Sequence, residues 1–358
     1  MPGVVLFGAT GYTGHLTAHA MARRGLDFKI VGRNPGKLER LSAETGDPET
    51  AVVEVGDVDA LTRALEGARV LVTCVGPFVE LGQTAVEAAV RAGCHYIDSA
   101  GEQEFIARLI EGYGDRARSA GLVLAPALGF DEVPADVAIS LACEEMDNPE
   151  GVITYAVPST GSAGTIRSGL GILSSPGAWI QDGRSVPVRA GQTTRWVPMP
   201  PPLGVRLSTA FPFAIAKLAP LHTNFTSLQT FATVGRPQYV ALRLARPPLG
   251  ALLGTSWGRG VADRVASRLP EGPGETGRQR RWTVLAEARS GHRWRNVVVM
   301  GRDIYGVSAA FLAAGAEALL AEHFEAAGVL SPVQAVGLDR LQKEMIELSV
   351  TIETYESG

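Results

Sequence analysis

The chain has 358 residues, 46% of them hydrophobic and 20% charged, with a formal net charge of -4. That balance is globular rather than disordered, and so small a negative charge gives no electrostatic footing for nucleic acid. The three cysteines (Cys74, Cys94 and Cys143) have no CxxC spacing and cannot all pair, which fits a reducing compartment rather than a disulfide framework.

In chain order, the first 125 residues alternate strand and helix. "VVLFGA" reads as a buried strand, "GHLTAHAMARRG" as a helix stopped at Gly25, and "FKIVGR" as a second strand. A helix over "NPGKLERLSAETG" follows, with Asn34 as N-cap and Pro35 at the first helical position. "AVVEVGD", "RVLVTCVGP", "HYIDSA" and "LVLAPA" are further strands, separated by helices at "DVDALTRALEG", "GQTAVEAAVRAG" and "QEFIARLIEGYGDRARSAG". Apolar strands alternating with amphipathic helices specify an α/β fold with a doubly wound parallel sheet.

Beyond residue 150 glycine and proline become frequent. "GTIRSGLGIL" reads as a short helix and "VPMPPPLG" (197–204) as a stiff extended connector. "TNFTSLQTFATVG", "RQRRWTVLAEARS" and "RWRNVVVMGRD" alternate like antiparallel strands, and the basic "GRQRRW" (277–282) as a loop between strands. A long alanine-rich helix at 306–328 is expected to return to the nucleotide domain. The expected domains are therefore 1–149 (Rossmann), 150–305 (an α+β substrate and dimerisation domain) and 306–358 (returning helices).

Gly8, Gly11 and Gly14 lie between the first strand and first helix, where a dinucleotide fingerprint belongs. Gly8 would permit the tight turn, Gly11 the approach of the pyrophosphate, and Gly14 the packing of helix on strand, with Thr10, Tyr12 and Thr13 completing the loop. The spacing is GxxGxxG rather than the usual GxGxxG. An acid at the end of the second strand would bind a ribose 2′-hydroxyl; here Arg33 stands in its place, beside Asn34 and with Lys37 one turn on. A guanidinium matches a 2′-phosphate, so the cofactor is read as NADP. Asp57 is placed to border the adenine, and Cys74, Val75, Gly76, Pro77 and Phe78 end the fourth strand beside the nicotinamide ribose.

Candidates for chemistry follow on later strand ends. Asp98 and Glu102 are each a general acid if burial raises the pKa, or Asp98 and Ser99 cap the next helix. Tyr96 precedes them, and alternation directs it into the sheet. "GFDEVPAD" offers Phe130 as a pocket wall, and Asp131 as the N-cap of a helix over 133–146 with Asp136 inside it. Arg167, in "STGSAGTIRSG", is a clamp for a carboxylate or phosphate, or an exposed helical arginine. His222 is a proton donor or a structural histidine. The histidines and cysteines show no metal-ligand spacing, so no metal is expected. The apolar, arginine-dotted stretch 239–261 reads as a lipid-facing surface or as a buried dimer helix broken at Pro247 and Pro248.

"GATGYTG", "VGRNPGKLERL", "CVGPFVELGQTAVEAAVRAGCHYIDSAGEQEF" and "PALGFDEVPAD" together resemble the saccharopine dehydrogenase-like oxidoreductases, strongly over residues 1–136 and weakly beyond. The resemblance implies a Rossmann domain, NADP and a second α+β domain that closes over substrate. Its members reduce imines in the lysine pathway or act in trans as enoyl reductases. The expectation is an NADPH-dependent reductase of an enoyl C=C bond, small-molecule or carrier-bound. The alternatives are an imine reductase joining an amino acid and a carbonyl compound, and a non-catalytic NADP sensor or scaffold. Without a basic n-region or an 18-residue apolar run, a cytoplasmic homodimer with peripheral lipid contact at most is expected.

Overall fold

A computed structural model describes residues 2–158, 176–240, 243–244, 255, 272, 274–321, 324 and 326–357. The chain divides into two compact units, the first comprising Met1–Val133 and Ile304–Leu348, the second Pro134–Asp303 and Ser349–Gly358.

The first unit alternates β1 (Val4–Phe7), α1 (Tyr12–Arg23), β2 (Phe28–Gly32), α2 (Pro35–Glu44), β3 (Thr50–Val52), α3 (Val58–Ala64), β4 (Val70–Thr73), α4 (Phe78–Ala92), β5 (His95–Asp98), α5 (Gln103–Ser119) and β6 (Val123–Ala125). All four residues of β1 and of β4 are buried, as a parallel sheet covered on both faces requires. Asn34 caps α2 by accepting from the Lys37 N–H at 2.9 Å, and Pro35 starts it, as read from sequence. After α6 (Val133–Ala142) the chain builds the second unit.

That unit contains β7 (Glu150–Ala156), β8 (Gly177–Gln181), β9 (Arg184–Val188), β10 (Thr194–Met199), β11 (Gly204–Ala210), β12 (Ser227–Thr233), β13 (Arg281–Ser290) and β14 (Arg293–Arg302). The chain then returns to the first unit with α7 (Ile304–Leu319), β15 (Gly328–Val329), α8 (Pro332–Val336) and α9 (Leu338–Glu347), and ends as β16 (Thr351–Glu356) in the second.

The first sheet is seven-stranded and wholly parallel, in the order β15-β6-β5-β4-β1-β2-β3. Its order reverses between β1 and β4, which is where such sheets open a crevice at the carboxyl ends of their strands. The returning α7 packs on α1, β4 and β5 as expected, and Arg24 after α1 pairs with Glu317 (2.9 Å) on α7 and with Glu344 on α9. The second sheet is mixed, in the order β10-β11-β12-β7-β13-β14-β16, with β8 and β9 off its path; β7 and β12 run parallel.

Several boundaries differ from expectation. The break near 149/150 falls at 133/134, and the segment 306–358 divides, because its last strand pairs with β14. Residues 197–204 are no connector: Val197–Met199 finish β10, a turn closed by Leu203 N–H to Pro200 O follows, and β11 pairs back. Proline is tolerated there because β10 lies at the edge of the sheet. The stretch 277–282 is the end of a short helix (Glu275–Arg278) and the start of β13 rather than a plain loop. The helix expected over 133–146 ends at Ala142, and the one expected to reach 328 ends at Leu319.

Candidate active site

The loop after β1 has the build of a pyrophosphate cradle. Gly8 has φ +80°, and a Cβ there would lie 2.6 Å from Val75 Cγ2. At Gly14 a Cβ would meet the Gly8 carbonyl oxygen at 2.2 Å, so only glycine lets α1 start this close to β1. Gly11 is exposed and N-caps α1 in extended geometry; no side chain caps the helix and its first turn holds no acid. The helix therefore presents its positive end to an anion rather than to its own side chains. Thr10, Tyr12 and Thr13 are half-buried along the loop, and Tyr12 meets Tyr305 of α7 edge to face at 4.9 Å.

Beside the cradle, Arg33 is exposed at the end of β2 and makes no hydrogen bond or ion pair with the described residues. No acid occupies the ribose position. Lys37 is half-buried on the first turn of α2, and the Asn34 carboxamide oxygen is committed to its cap. Asp57 is exposed and N-caps α3 through Ala60 N–H at 2.8 Å. The loop after β4 runs through Cys74, Val75, exposed Gly76 and Pro77 into buried Phe78, the first residue of α4. Desolvation pushes the Cys74 thiol up to about 12, so it stays a neutral thiol beside the Thr17 hydroxyl at 3.9 Å. It is a packing group and not a nucleophile. An uncapped helix end, two glycines at contact distance and an uncommitted guanidinium fit a 2′-phosphorylated dinucleotide.

The ends of β5 and β6 bring three carboxylates together. Asp98 is completely buried: Oδ2 accepts from the Tyr96 hydroxyl at 2.6 Å, and Oδ1 from the Ala100 and Ala127 N–H groups, both at 2.8 Å. It thus ties the end of β5 to the loop after β6 and does not cap α5, whose N-cap is Glu102. Burial is the main force pushing Asp98 up to about 7; its three donors pull down, and the Glu102 charge pushes up. Tyr96, inside the sheet as expected, is driven well above its usual range first by burial and then by Asp98.

Glu102 is buried and accepts from Phe78 N–H, at the start of α4, at 3.3 Å. Asp131 as a residue is exposed, but desolvation of its carboxyl, and then the Glu102 charge, raise it to about 6. Its carboxylate lies over Gly101, 3.4 Å from where a Cβ would be, and it makes no capping hydrogen bond to α6 among the described residues. Phe130 is buried, its N–H held by the Ser308 hydroxyl of α7 at 2.8 Å.

Elsewhere the expected residues separate. Arg167 and most of 239–261 lie outside the described residues. In the second unit His222 is structural: Nε2 meets Asp136 Oδ1 at 2.8 Å and Nδ1 meets Thr223 Oγ1 at 2.9 Å, with Asp136 fully buried on α6. Sequence reasoning missed Tyr305 and Ser308, which no local motif marks. It also missed His15 and His19, whose i,i+4 spacing on α1 puts them on one face beside Glu44.

The fold and the cradle define a Rossmann-type dinucleotide-binding protein with an added α+β unit. Residues 4–124 match the family model for the saccharopine dehydrogenase NADP binding domain. Residues 4–124 thus form a saccharopine dehydrogenase-type NADP binding domain, with NADP as its cofactor.

Among its relatives is a probable mitochondrial saccharopine dehydrogenase-like oxidoreductase of Arabidopsis thaliana, 30% identical over 165 residues, which are 41% of this chain and 36% of that one. A trans-acting enoyl reductase of Mycobacterium ulcerans is 32% identical over 142 residues, 38% of this chain and 34% of that one. The matches thus span about a third of the relatives' length. In fold, the chain resembles apo saccharopine dehydrogenase (L-Glu forming) of Saccharomyces cerevisiae, with a TM-score of 0.65 over 100% of both chains at 11% identity.

Proposed function

We propose that the protein is an NADPH-dependent reductase of a C=C bond in an enoyl thioester or lipid-like intermediate. The observation that carries this reading concerns cations in the second unit. Among its described residues the half-buried arginines are already matched to acids: Arg195 to Glu287 at 3.0 Å, Arg278 to Asp303, and Arg295 to Glu356 at 2.8 Å and Glu144 at 3.3 Å. These three guanidiniums are committed to acids and so do not serve as a clamp for the carboxylates of an amino-acid imine, whereas an acyl chain needs no such clamp. The same unit packs an apolar aromatic cluster, with buried Tyr155 stacked on half-buried Phe213 at 3.7 Å and Phe211 adjoining it at 4.7 Å. The enoyl reductase relative supports the same choice.

NADPH, when bound, would supply the hydride for the β-carbon, and the α-carbon would then need a proton. Gly8, Gly11, Gly14 and Arg33 are the residues that would hold its phosphates. Asp98, with both oxygens accepting hydrogen bonds, keeps the β5 and β6 ends in register. Glu102 and Asp131, at the same strand ends, are the carboxyls that would deliver the proton, Asp131 from a raised pKa that keeps part of it protonated near neutrality. On the same reading the protein works in the cytoplasm, as a homodimer, on a carrier-bound or lipid-like substrate.

The test is NADPH oxidation by the purified protein with α,β-unsaturated acyl thioesters of increasing length, against amino acids mixed with aldehydes or α-keto acids. Turnover of the thioesters is expected. Turnover of the amine–carbonyl pairs alone would replace this reading with an imine reductase, and NADPH binding without turnover of either set would leave a sensor.

A further inference from the structure

We propose that His15, His19 and Glu44 form a surface site for one divalent first-row transition cation, with Zn2+ as the reference ion. His15 and His19 are one turn apart on α1, and Glu44 is the last residue of α2. Both imidazole Nε2 atoms face the same carboxylate oxygen: Glu44 Oε2 lies 3.7 Å from that of His15 and 3.4 Å from that of His19. The two rings sit edge to face at 4.7 Å, and the three donor atoms all lie within 4.8 Å of one another.

Ligand distances decide between a coordination site and an incidental ion pair. A tetrahedral ion with bonds of about 2.1 Å has ligand-to-ligand edges of about 3.4 Å. The observed 3.4 and 3.7 Å are already at that spacing. Both edges converge on Glu44 Oε2, so small rotamer changes in exposed side chains complete the triangle without moving either helix. Two nitrogens and one carboxylate oxygen are the donor set of zinc, cobalt, nickel or copper rather than of magnesium or calcium, which take oxygen alone.

All three side chains are partly open, at 45%, 32% and 50% exposure for His15, His19 and Glu44, so water can fill the remaining positions. The site's residues stand on α1 and α2, whereas the three carboxylates stand at or after the ends of β5 and β6. It does share α1 with the phosphate cradle: His15 directly follows Gly14, and its N–H donates to Gly11 O at 2.8 Å. A bound cation therefore ties the first turns of the cofactor helix to the end of α2.

The test uses the full chain, with and without NADPH. Zn2+ is titrated calorimetrically, Co2+ by the visible bands that report its ligand geometry, and thermal unfolding is followed with each ion. One equivalent of metal is expected, with a higher Tm in its presence because the ion binds the native state. His19→Ala should weaken binding at least tenfold, and Glu44→Gln severalfold while leaving both imidazoles. Both changes lie on helix surfaces where folding is retained, which far-UV circular dichroism and unchanged NADPH binding without metal would check. The absence of stoichiometric binding, or binding that survives the His15→Ala/His19→Ala double variant, overturns the proposal.

Discussion

Replacing Asp98 by asparagine separates a brace from a proton donor. The carboxyl titrates near 7 in the folded chain against an ordinary value of 3.8. Between those values the native state holds a proton that the unfolded state has lost, so stability falls as pH rises, with a slope of about 1.4 kcal/mol per pH unit. The contribution is complete below about pH 4 and gone once pH passes about 7. Between pH 5 and 8 the wild type should lose roughly 2.7 kcal/mol through this one group.

Asparagine keeps an oxygen for the Ala100 and Ala127 N–H groups and has no proton to lose. Urea unfolding of both proteins at pH 5, 6, 7 and 8 measures the difference. The gap between them should close or reverse in favour of the variant as pH rises, and NADPH turnover should survive. Parallel stability curves across that range would refute the pKa argument. Loss of turnover at every pH, with the fold intact, would restore Asp98 as the acid.

Three further perturbations test the cofactor site and the second unit. Arg33→Ala should weaken NADPH by about tenfold to a hundredfold, the value of a charge-assisted contact, and leave NADH nearly untouched; equal weakening in a fluorescence titration would sink the 2′-phosphate assignment. Gly14→Ala puts a methyl carbon 2.2 Å from a backbone oxygen that cannot step aside. It should lower stability by about 2 kcal/mol or more and abolish NADPH binding, and a normal Kd would show that α1 can slide. His222→Ala removes a partner from the fully buried Asp136 and should cost roughly 3 kcal/mol in denaturant unfolding. A change below half of one kcal/mol would mean that the remaining contacts of Asp136 suffice.

The first unit was legible because its code is local. A buried β1 running into GxxGxxG, an Asn-Pro helix start and an Arg where an acid would sit are each read within a dozen residues, and each stands where expected. What stayed hidden comes from far along the chain. Ser308 holds Phe130 across 178 residues, and β15 contributes only two residues to the sheet, too few to show a period. At Asp98 spacing shows only a carboxyl near a strand end, which suits an acid or a cap. It does not show that the Ala127 N–H arrives from the next loop to occupy it. His15 and His19 were visible as a spacing, but Glu44, which gives that spacing its meaning, lies 25 residues further on.

The order in which the chain visits its units bears on how it emerges during synthesis. Once residue 133 has been made, six parallel strands exist, but the β6 edge is bare and α7 has not yet been translated. An unpaired parallel edge is a site for misassociation, and here it stays open until β15 arrives at Gly328. The second sheet is likewise finished only by β16, near the end of the chain. A nascent chain halted anywhere between 133 and 328 would expose a half-built nucleotide domain to chaperones. An expression fragment cut at the first boundary should precipitate, where one carrying 304–348 in trans could be rescued.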